Sequence, residues 1–394
     1  MIEINPPEHV TQILHRLMES GYAAFLVGGC VRDAILGRPV HDWDIATSAT
    51  PATIAGIFHK TFLTGEKYGS VTVLIGNNSV EVTTFRAEGG YLDNRHPENV
   101  EFVSNLDDDL SRRDFTMNAM AVSAMRELID PFGGLEDIEN RVVRCVGNPE
   151  IRFAEDALRM FRAYRFSAEL GFSIEPITMK AIYANANKAG NISAERIRVE
   201  LEKTLLSQSP EKTREMITAG LLDKYLASPE KSPDGLRRIT ILPDERKLRW
   251  CAFCAALHNA QSITSASGFL HDMRLDRQTI KACLRALSII EFPENRIEIK
   301  RLLAKYGIDA IRCAAAANET TMREGNSTLH LARVDEIIES GECFLLKDLA
   351  ISGHDLITNG HPAGSKLGET LEMLLDHVIR NPRDNTREIL LNKW

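Results

Sequence analysis

The sequence predicts an α+β protein: a head with a small mixed sheet, followed by an all-helical remainder. Two observations carry this. Up to residue 148, short β-rich runs alternate with Gly and Asp turns. From Pro149 onward, apolar residues recur at helical spacing instead. The division expected is a head at 1–148, a helical neck at 149–207, a helical body at 208–340 and a helical tail at 341–394.

Phe25-Leu26-Val27 reads as a strand running into Gly28-Gly29. Val31–Leu36 and Pro51–Phe58 read as short helices, the second capped by Thr50 with Pro51 at its first position. Ser70–Ile75 and Val80–Phe85, separated by Gly76-Asn77-Asn78, form a predicted hairpin. Arg86–Pro97, with Gly89-Gly90 and Asp93-Asn94, reads as a mobile loop. One helix is expected over Phe153–Leu170, ending before Gly171, and another over Ser193–Leu206. Residues 208–340 continue as helices interrupted by Pro and Gly. Asp348–Gly368 is turn-rich, and Glu369–Ile379 is expected as a last amphipathic helix.

Composition sets bounds rather than a function. The 394 residues suit about two to four domains. No apolar run approaches the ~20 residues that span a bilayer, and Met1–Val10 lacks a basic-then-apolar leader pattern. The seven scattered cysteines fit a reducing cytoplasm better than a disulfide framework. A net charge of −8 argues against coating long nucleic acid by bulk positive charge, though it allows a local basic groove. Composition assigns no oligomeric state.

The chemistry concentrates in Gly28-Gly29-Cys30-Val31-Arg32-Asp33 followed by Asp42-Trp43-Asp44. In a strand, residues two apart face the same side, so Asp42 and Asp44 are expected to project together with Trp43 toward the core. Two convergent carboxylates suit Mg²⁺, which prefers oxygen ligands. Glu81, between Val80 and Val82, supplies a third acid, and such a cluster suits metals ~3.5–4 Å apart. An isolated Asp-x-Asp is more often a solvated turn; the Gly-Gly element changes that reading. Glycines permit close backbone approach to a phosphate, and a helix starting there offers free N–H groups. Arg32 adds a charge-assisted donor.

Leu26–Gly37 together with His41–Thr47 closely resembles the bacterial class II CCA-adding enzymes and poly(A) polymerases, within the DNA polymerase β nucleotidyltransferase superfamily. The resemblance continues through Thr64–Ser70, Arg112–Ala119, Asp130–Gly134 and Glu155–Arg159. It is strong over 22–206, weaker over 207–340, and returns at 348–368. It implies a polymerase-β-like head and addition of CCA to tRNA from CTP and ATP. Asp42 and Asp44 would hold Mg²⁺, Glu81 would complete the acidic cluster, and Gly29 and Arg32 would position triphosphate. Arg113 would contact nucleotide; Asp114 would pair with an arginine and fix its rotamer, the alternative for Arg112 and Asp114 being structural support alone. Asn118 is expected to bond nearby backbone. The helical remainder would grip the acceptor and TΨC arms of tRNA by shape. In such relatives a loop near 86–97 serves the switch from C to A, and the full-length loop here, with Arg86, Asp93 and Arg95, points to complete CCA addition. CC-adding, A-adding and poly(A)-adding enzymes share the chemistry, and a catalytically decayed tRNA-binding protein is the non-enzyme alternative.

Asp156, Arg159, Arg162 and Arg165 recur every three residues and are expected as a stripe on one helix. An Asp accepts from an exocyclic amine, and an Arg donates to ring nitrogens and carbonyls. C and A present an amino group beside an acceptor nitrogen; G and U do not. The pair can therefore admit CTP and ATP, a good bidentate contact discriminating by ~1–3 kcal/mol. The resemblance gives Asp156 and Arg159 this template role, leaving Arg162 and Arg165 for triphosphate or primer. Weaker signals are Cys251, Cys254 and His258, better explained as small buried side chains than as a zinc site, and the basic stretch Lys231–Arg249, which suits tRNA phosphates or a solvated face equally.

Overall fold

The computed structural model describes residues 4–91, 97–228, 233–289, 292–320 and 329–393. Two compact units divide the chain: Met1–Glu200 with Ala219–Leu221, and Leu201–Thr218 with Leu222–Trp394.

The first unit opens with α1 (Glu8–Glu19), whose Val10, Ile13, Leu14 and Leu17 form one buried stripe. Then follow β1 (Ala24–Val27), α2 (Gly29–Ile35), β2 (Asp44–Thr47) and α3 (Pro51–Ile57), where the Thr50 side chain accepts from the Thr53 N–H. β3 (Thr61–Gly65), β4 (Ser70–Ile75) and β5 (Asn78–Thr84) complete one wing of the sheet. The β4–β5 turn is two residues long, Ile75 pairing with Asn78, and Gly76 takes a positive φ there. β6 (Arg86–Tyr91) and β7 (Pro97–Phe102) pair antiparallel in a separate ribbon. This corrects the expectation of an irregular loop: the glycines read as a turn, but pairing across the ribbon satisfies their backbone groups. Asp93 and Arg95 lie outside the described residues.

After α4 (Leu106–Ser111), β8 (Ala121–Ser123) and β9 (Leu128–Ile129) close the main sheet. Its order is β3-β4-β5-β2-β1-β8-β9, antiparallel throughout except where β2 runs parallel to β5. Val27, Ala46, Phe85, Leu106, Leu110 and Ala121 pack its core. α5 (Gly134–Glu139) and β10 (Val142–Val143) lead to α6 (Pro149–Glu155), α7 (Leu158–Leu170), β11 (Ser173–Ile174), α8 (Pro176–Asn185) and α9 (Ala194–Leu205).

The single helix expected over 153–170 is two helices. The chain breaks at Asp156, which is extended at φ −140 and ψ 103. Its carboxylate accepts from the Leu158 N–H at 3.0 Å and so caps α7. A short acid bonding its own backbone competes with helix continuation, whereas apolar spacing runs through a two-residue break unchanged. Gly171, at φ +69, ends α7 as expected.

The second unit is helical: α10 (Lys212–Thr218), α11 (Arg246–Asn259), α12 (Ala266–Asp272), α13 (Arg277–Leu287), α14 (Arg296–Tyr306), α15 (Ile308–Glu319), α16 (His330–Glu339), α17 (Gly353–Thr358), α18 (Ser365–Arg380) and α19 (Arg387–Leu391). Buried on nearly every side, α11 packs against α13 and α15, where Ala314–Ala317 allow close approach. The turn-rich stretch at 348–368 contains α17, and α18 is neither as short as expected nor last. Leu356, Leu374, Val378 and Leu390 share one core there.

The Asp130–Gly134 turn shows how local chemistry fixes this architecture. Asp130 accepts from the Gly134 and Leu135 N–H groups at 2.7 and 2.8 Å. Gly133 takes φ +74, and a Cβ on Gly134 would stand 2.3 Å from the Thr116 carbonyl oxygen. Gly134→Ala should therefore force backbone apart and cost about 1–3 kcal/mol, read as a lowered midpoint in chemical denaturation.

Candidate functional site

Gly28 ends β1 at φ +75, a conformation natural only to glycine, and the chain turns there into α2. Gly29 is the first residue of that helix. A Cβ on Gly28 would meet the Arg113 guanidinium at 2.8 Å, so the bare backbone lets that arginine lie against the turn.

Beside the turn is a cavity of about 690 Å³, of the size that holds a nucleotide-scale ligand. Eight arginines line it among the described residues, together with Asp44, Asp114, Asp156, Asn118, Tyr68 and Phe166. Gly29, Arg32, Arg113, Asp156, Arg159, Arg162 and Arg165 all border it. Of the three expected catalytic acids only Asp44 does; Asp42 and Glu81 are outside the lining.

Asp44 opens β2 and pairs in register with Glu81 on the parallel neighbour β5, so both side chains share one sheet face on strands about 4.8 Å apart. Val80 and Val82 are buried on the opposite face. Asp42 precedes the strand and is exposed, and Trp43 is half-buried rather than in the core. The strand alternation expected of Asp42 thus does not apply, yet Asp42 is close enough to act on its neighbour. Burial first, then Glu81 and Asp42, push the Asp44 carboxyl up to about 6, against an opposing pull from Arg113. Among the described residues no group of three or more His, Cys, Asp or Glu side chains is arranged as a metal cluster. The donor set still fits a hard divalent cation: oxygen ligands only, crowded enough that Asp44 holds its negative charge at a cost.

The arginines are pinned from behind. Arg32 donates to both Asp33 oxygens at 3.0 and 2.9 Å and to Asn118 Oδ1 at 2.6 Å. Asn118 donates in turn to Asp114 Oδ1 at 3.1 Å. Its partners are side chains, not the backbone expected, because its buried 3₁₀ turn aims both ends of the amide at charged groups. Asp114 Oδ2 accepts from Arg162 Nε at 2.7 Å, the arginine partner anticipated for it. Arg113 pairs with Asp109 at 3.1 Å, and its Nε is buried without a hydrogen bond. Arg165 meets Glu200 at 2.5 Å and Glu169 at 2.8 Å. The Phe166 ring lies under Arg165 at 3.8 Å, Arg32 at 5.0 Å and Arg162 at 5.3 Å.

Asp156 lies in the break before α7 and not on the one-helix stripe expected with Arg159, Arg162 and Arg165. Arg159 donates to the Arg152 and Arg112 carbonyls at 3.2 and 2.8 Å and to Glu155 at 2.7 Å. The cation on Asp156 is Arg196 of α9, at 2.7 Å. Arg196 and Glu200 were missed in the sequence; their spacing of four on one helix was the available signal.

Elsewhere, Cys251 Sγ stands 3.3 Å from Cys283 Sγ in a buried setting, whereas His258 is exposed. In the basic stretch, Arg246 pairs with Glu202 and Asp276, Lys247 with Asp309, and Arg249 is buried against the Leu205, Ser207, Leu242 and Pro243 carbonyls. Lys231 lies outside the described residues.

Burial raises the Asp114 carboxyl, but Arg162 and Asn118 outweigh it and hold the group at about 2, below its usual 3.8. A depressed carboxylate stabilises the fold fully above its unfolded value and loses that contribution as pH falls through the folded one. Asp114→Asn should therefore cost about 2 kcal/mol at neutral pH, and the difference between the denaturation curves of the two proteins should shrink only below about pH 4 and vanish as pH falls through about 2.

Residues 24–144 match the family described as Poly A polymerase head domain, 171–231 the RNA and SrmB- binding site of polymerase A, and 243–394 tRNA nucleotidyltransferase domain 2. The chain is 38% identical over 395 residues to a CCA-adding enzyme of Geobacillus sp. (strain WCH70), covering 99% of this chain and 96% of that one. It is 37% identical over 416 residues to a CCA-adding enzyme of Limosilactobacillus reuteri (strain DSM 20016), covering 98% and 96%. Among solved structures it resembles a Bacillus stearothermophilus CCA-adding enzyme in complex with CTP, with a TM-score of 0.77, 34% identity and coverage of 98% and 96%.

Proposed function

Since this chain belongs to the class II CCA-adding enzyme family, we propose that it adds CCA to the 3′ end of tRNA without a nucleic-acid template, using CTP and ATP and releasing pyrophosphate. The observation that carries this reading is the arginine-lined cavity with Asp44 on its wall: a trianionic nucleotide would be held there beside the acids.

The tRNA 3′-oxygen would attack the α-phosphorus, forming the new P–O bond as the bond to the β-phosphate bridging oxygen breaks, and the hydroxyl proton would be lost. Asp42 and Asp44 would hold Mg²⁺, with Glu81 completing the acidic face and promoting deprotonation of the primer. When bound, a divalent cation polarises the phosphoryl oxygens and stabilises charge on the attacking and leaving oxygens. The chain's own arginines do the rest of the electrostatic work. Arg32, Arg113, Arg162 and Arg165 border the cavity and would neutralise triphosphate, Gly29 would let backbone approach it, and the carboxylate behind each of these arginines offsets their mutual repulsion. Asp156 and Arg159 would read the base. This role requires Arg159 to exchange some of its protein acceptors for the base, since it starts out bonded to carbonyls.

The division into head at 1–148, neck at 149–207, body at 208–340 and tail at 341–394 is proposed on the change from sheet to helices after β10. The helical parts would grip the acceptor and TΨC arms by shape and phosphate contacts. A cytoplasmic setting is supported by seven buried free cysteines; among the described residues, no helix is long and apolar enough to cross a membrane.

The test supplies tRNA ending before CCA with CTP and ATP, singly and together. Two C residues followed by one A are expected. Stopping after CC, adding A alone, or building long A tails would each replace the proposal with the corresponding relative's activity. Chelation should abolish incorporation, and Mg²⁺ should restore it. Asp42→Ala should lower kcat by roughly 10³-fold or more while sparing tRNA binding; full activity of that variant would remove Asp42 from the mechanism, and no incorporation by the wild type would leave only RNA binding.

A further inference from the structure

Asp156 is the acceptor on which base selection rests in the reading above, and its carboxylate is fixed at both oxygens. Oδ1 accepts from the Leu158 N–H at 3.0 Å, and Oδ2 accepts from Arg196 at 2.7 Å. The first contact comes from the main chain of the helix that Asp156 caps. The second comes from a different helix, α9, and from a cation that itself borders the cavity. Arg159, the second residue expected to read the base, is bonded to other groups.

Two fixed oxygens leave the carboxylate no freedom about its terminal torsion, which is otherwise broad. Each oxygen keeps a further lone pair, so the direction in which Asp156 can accept another hydrogen bond is set. A carboxylate held this way accepts from an amino group, as on C and A, and repels the carbonyl that U and G place there. A carboxylate free to swivel away would impose that repulsion less. The same face of α9 acts one turn later: Glu200, four residues on, holds Arg165 at 2.5 Å. One short helical face thus pins both an acid and an arginine that line the cavity.

We infer that Arg196 is a positioning residue that sets which bases the cavity accepts, acting through Asp156. This rests on the proposed role of Asp156 in base selection.

The experiment measures kcat/KM for CTP and for UTP at the first added position, using full-length protein and tRNA lacking CCA. Wild type, Arg196→Ala, Arg196→Lys, Asp156→Ala and the Asp156→Ala/Arg196→Ala double variant are compared, with thermal midpoints for each. Arg196→Ala should reduce the CTP-to-UTP ratio roughly tenfold. Arg196→Lys, which restores charge without the planar fork, should recover part of it. The double variant should show the same ratio as Asp156→Ala alone, because the arginine has no effect without its acid. If Asp156→Ala collapses the ratio but Arg196→Ala does not, the inference is overturned and the base-selecting role of Asp156 stands. If Asp156→Ala itself leaves the ratio unchanged, the base-selecting role fails, and the inference with it. An equal loss for CTP and UTP in Arg196→Ala, with a lowered midpoint, would make Arg196 a structural brace only. Ratio losses that multiply in the double variant would likewise overturn action through Asp156.

Discussion

Eight arginines facing one cavity would drive each other apart if nothing held them. What keeps them together is a layer of carboxylates behind them. Asp33 holds Arg32, Asp109 holds Arg112 and Arg113, Asp114 holds Arg162, Asp156 holds Arg196, and Glu200 holds Arg165. Phe166 spreads three of the guanidinium groups over its faces. Each arginine held in this way is neutralised on one side and still presents cationic edges on the other. The site is therefore organised before a polyanion arrives, which is the condition under which electrostatic stabilisation costs least at the moment of reaction.

The sheet contributes the opposite charge. Its one parallel pairing, β2 with β5, sets Asp44 beside Glu81. Burial first, and then the neighbouring acids, resist ionisation of Asp44 and raise its carboxyl. A site built this way gains from a bound cation in proportion to the repulsion the cation relieves. Cavity and sheet thus complement each other: one collects positive charge, the other negative charge, as the proposed reaction would require of the sites for nucleotide and ion. Gly28 joins them, because its left-handed backbone turns the chain from sheet to helix while leaving room for Arg113.

In the helical unit three residues of the basic stretch 231–249, whose sequence suits tRNA phosphates or a solvated face equally, are engaged internally. Arg249 is buried against four carbonyls, and Arg246 and Lys247 hold neighbouring helices through acids. This agrees with a chain whose overall charge is negative and whose arginine-lined cavity is a local collection of positive charge.

The sequence by itself determined what depends on neighbours along the chain. Alternation fixed the hairpin at 70–84, Thr50 and Pro51 fixed the start of α3, Gly171 fixed the end of α7, and the ordered Gly-Gly, Asp-x-Asp and Arg-Arg-Asp elements identified the family. Tertiary structure decided what depends on contacts across the chain. It broke the helix at Asp156, because a side-chain cap leaves no mark on apolar spacing. It paired β6 with β7, where glycines read as a turn. It gave Asp156 the partner Arg196, forty residues away on another helix. Spacing along a helix specifies which side chains can meet, but a guanidinium with several acceptors in reach takes those that desolvate it least, and only the packed fold determines which they are.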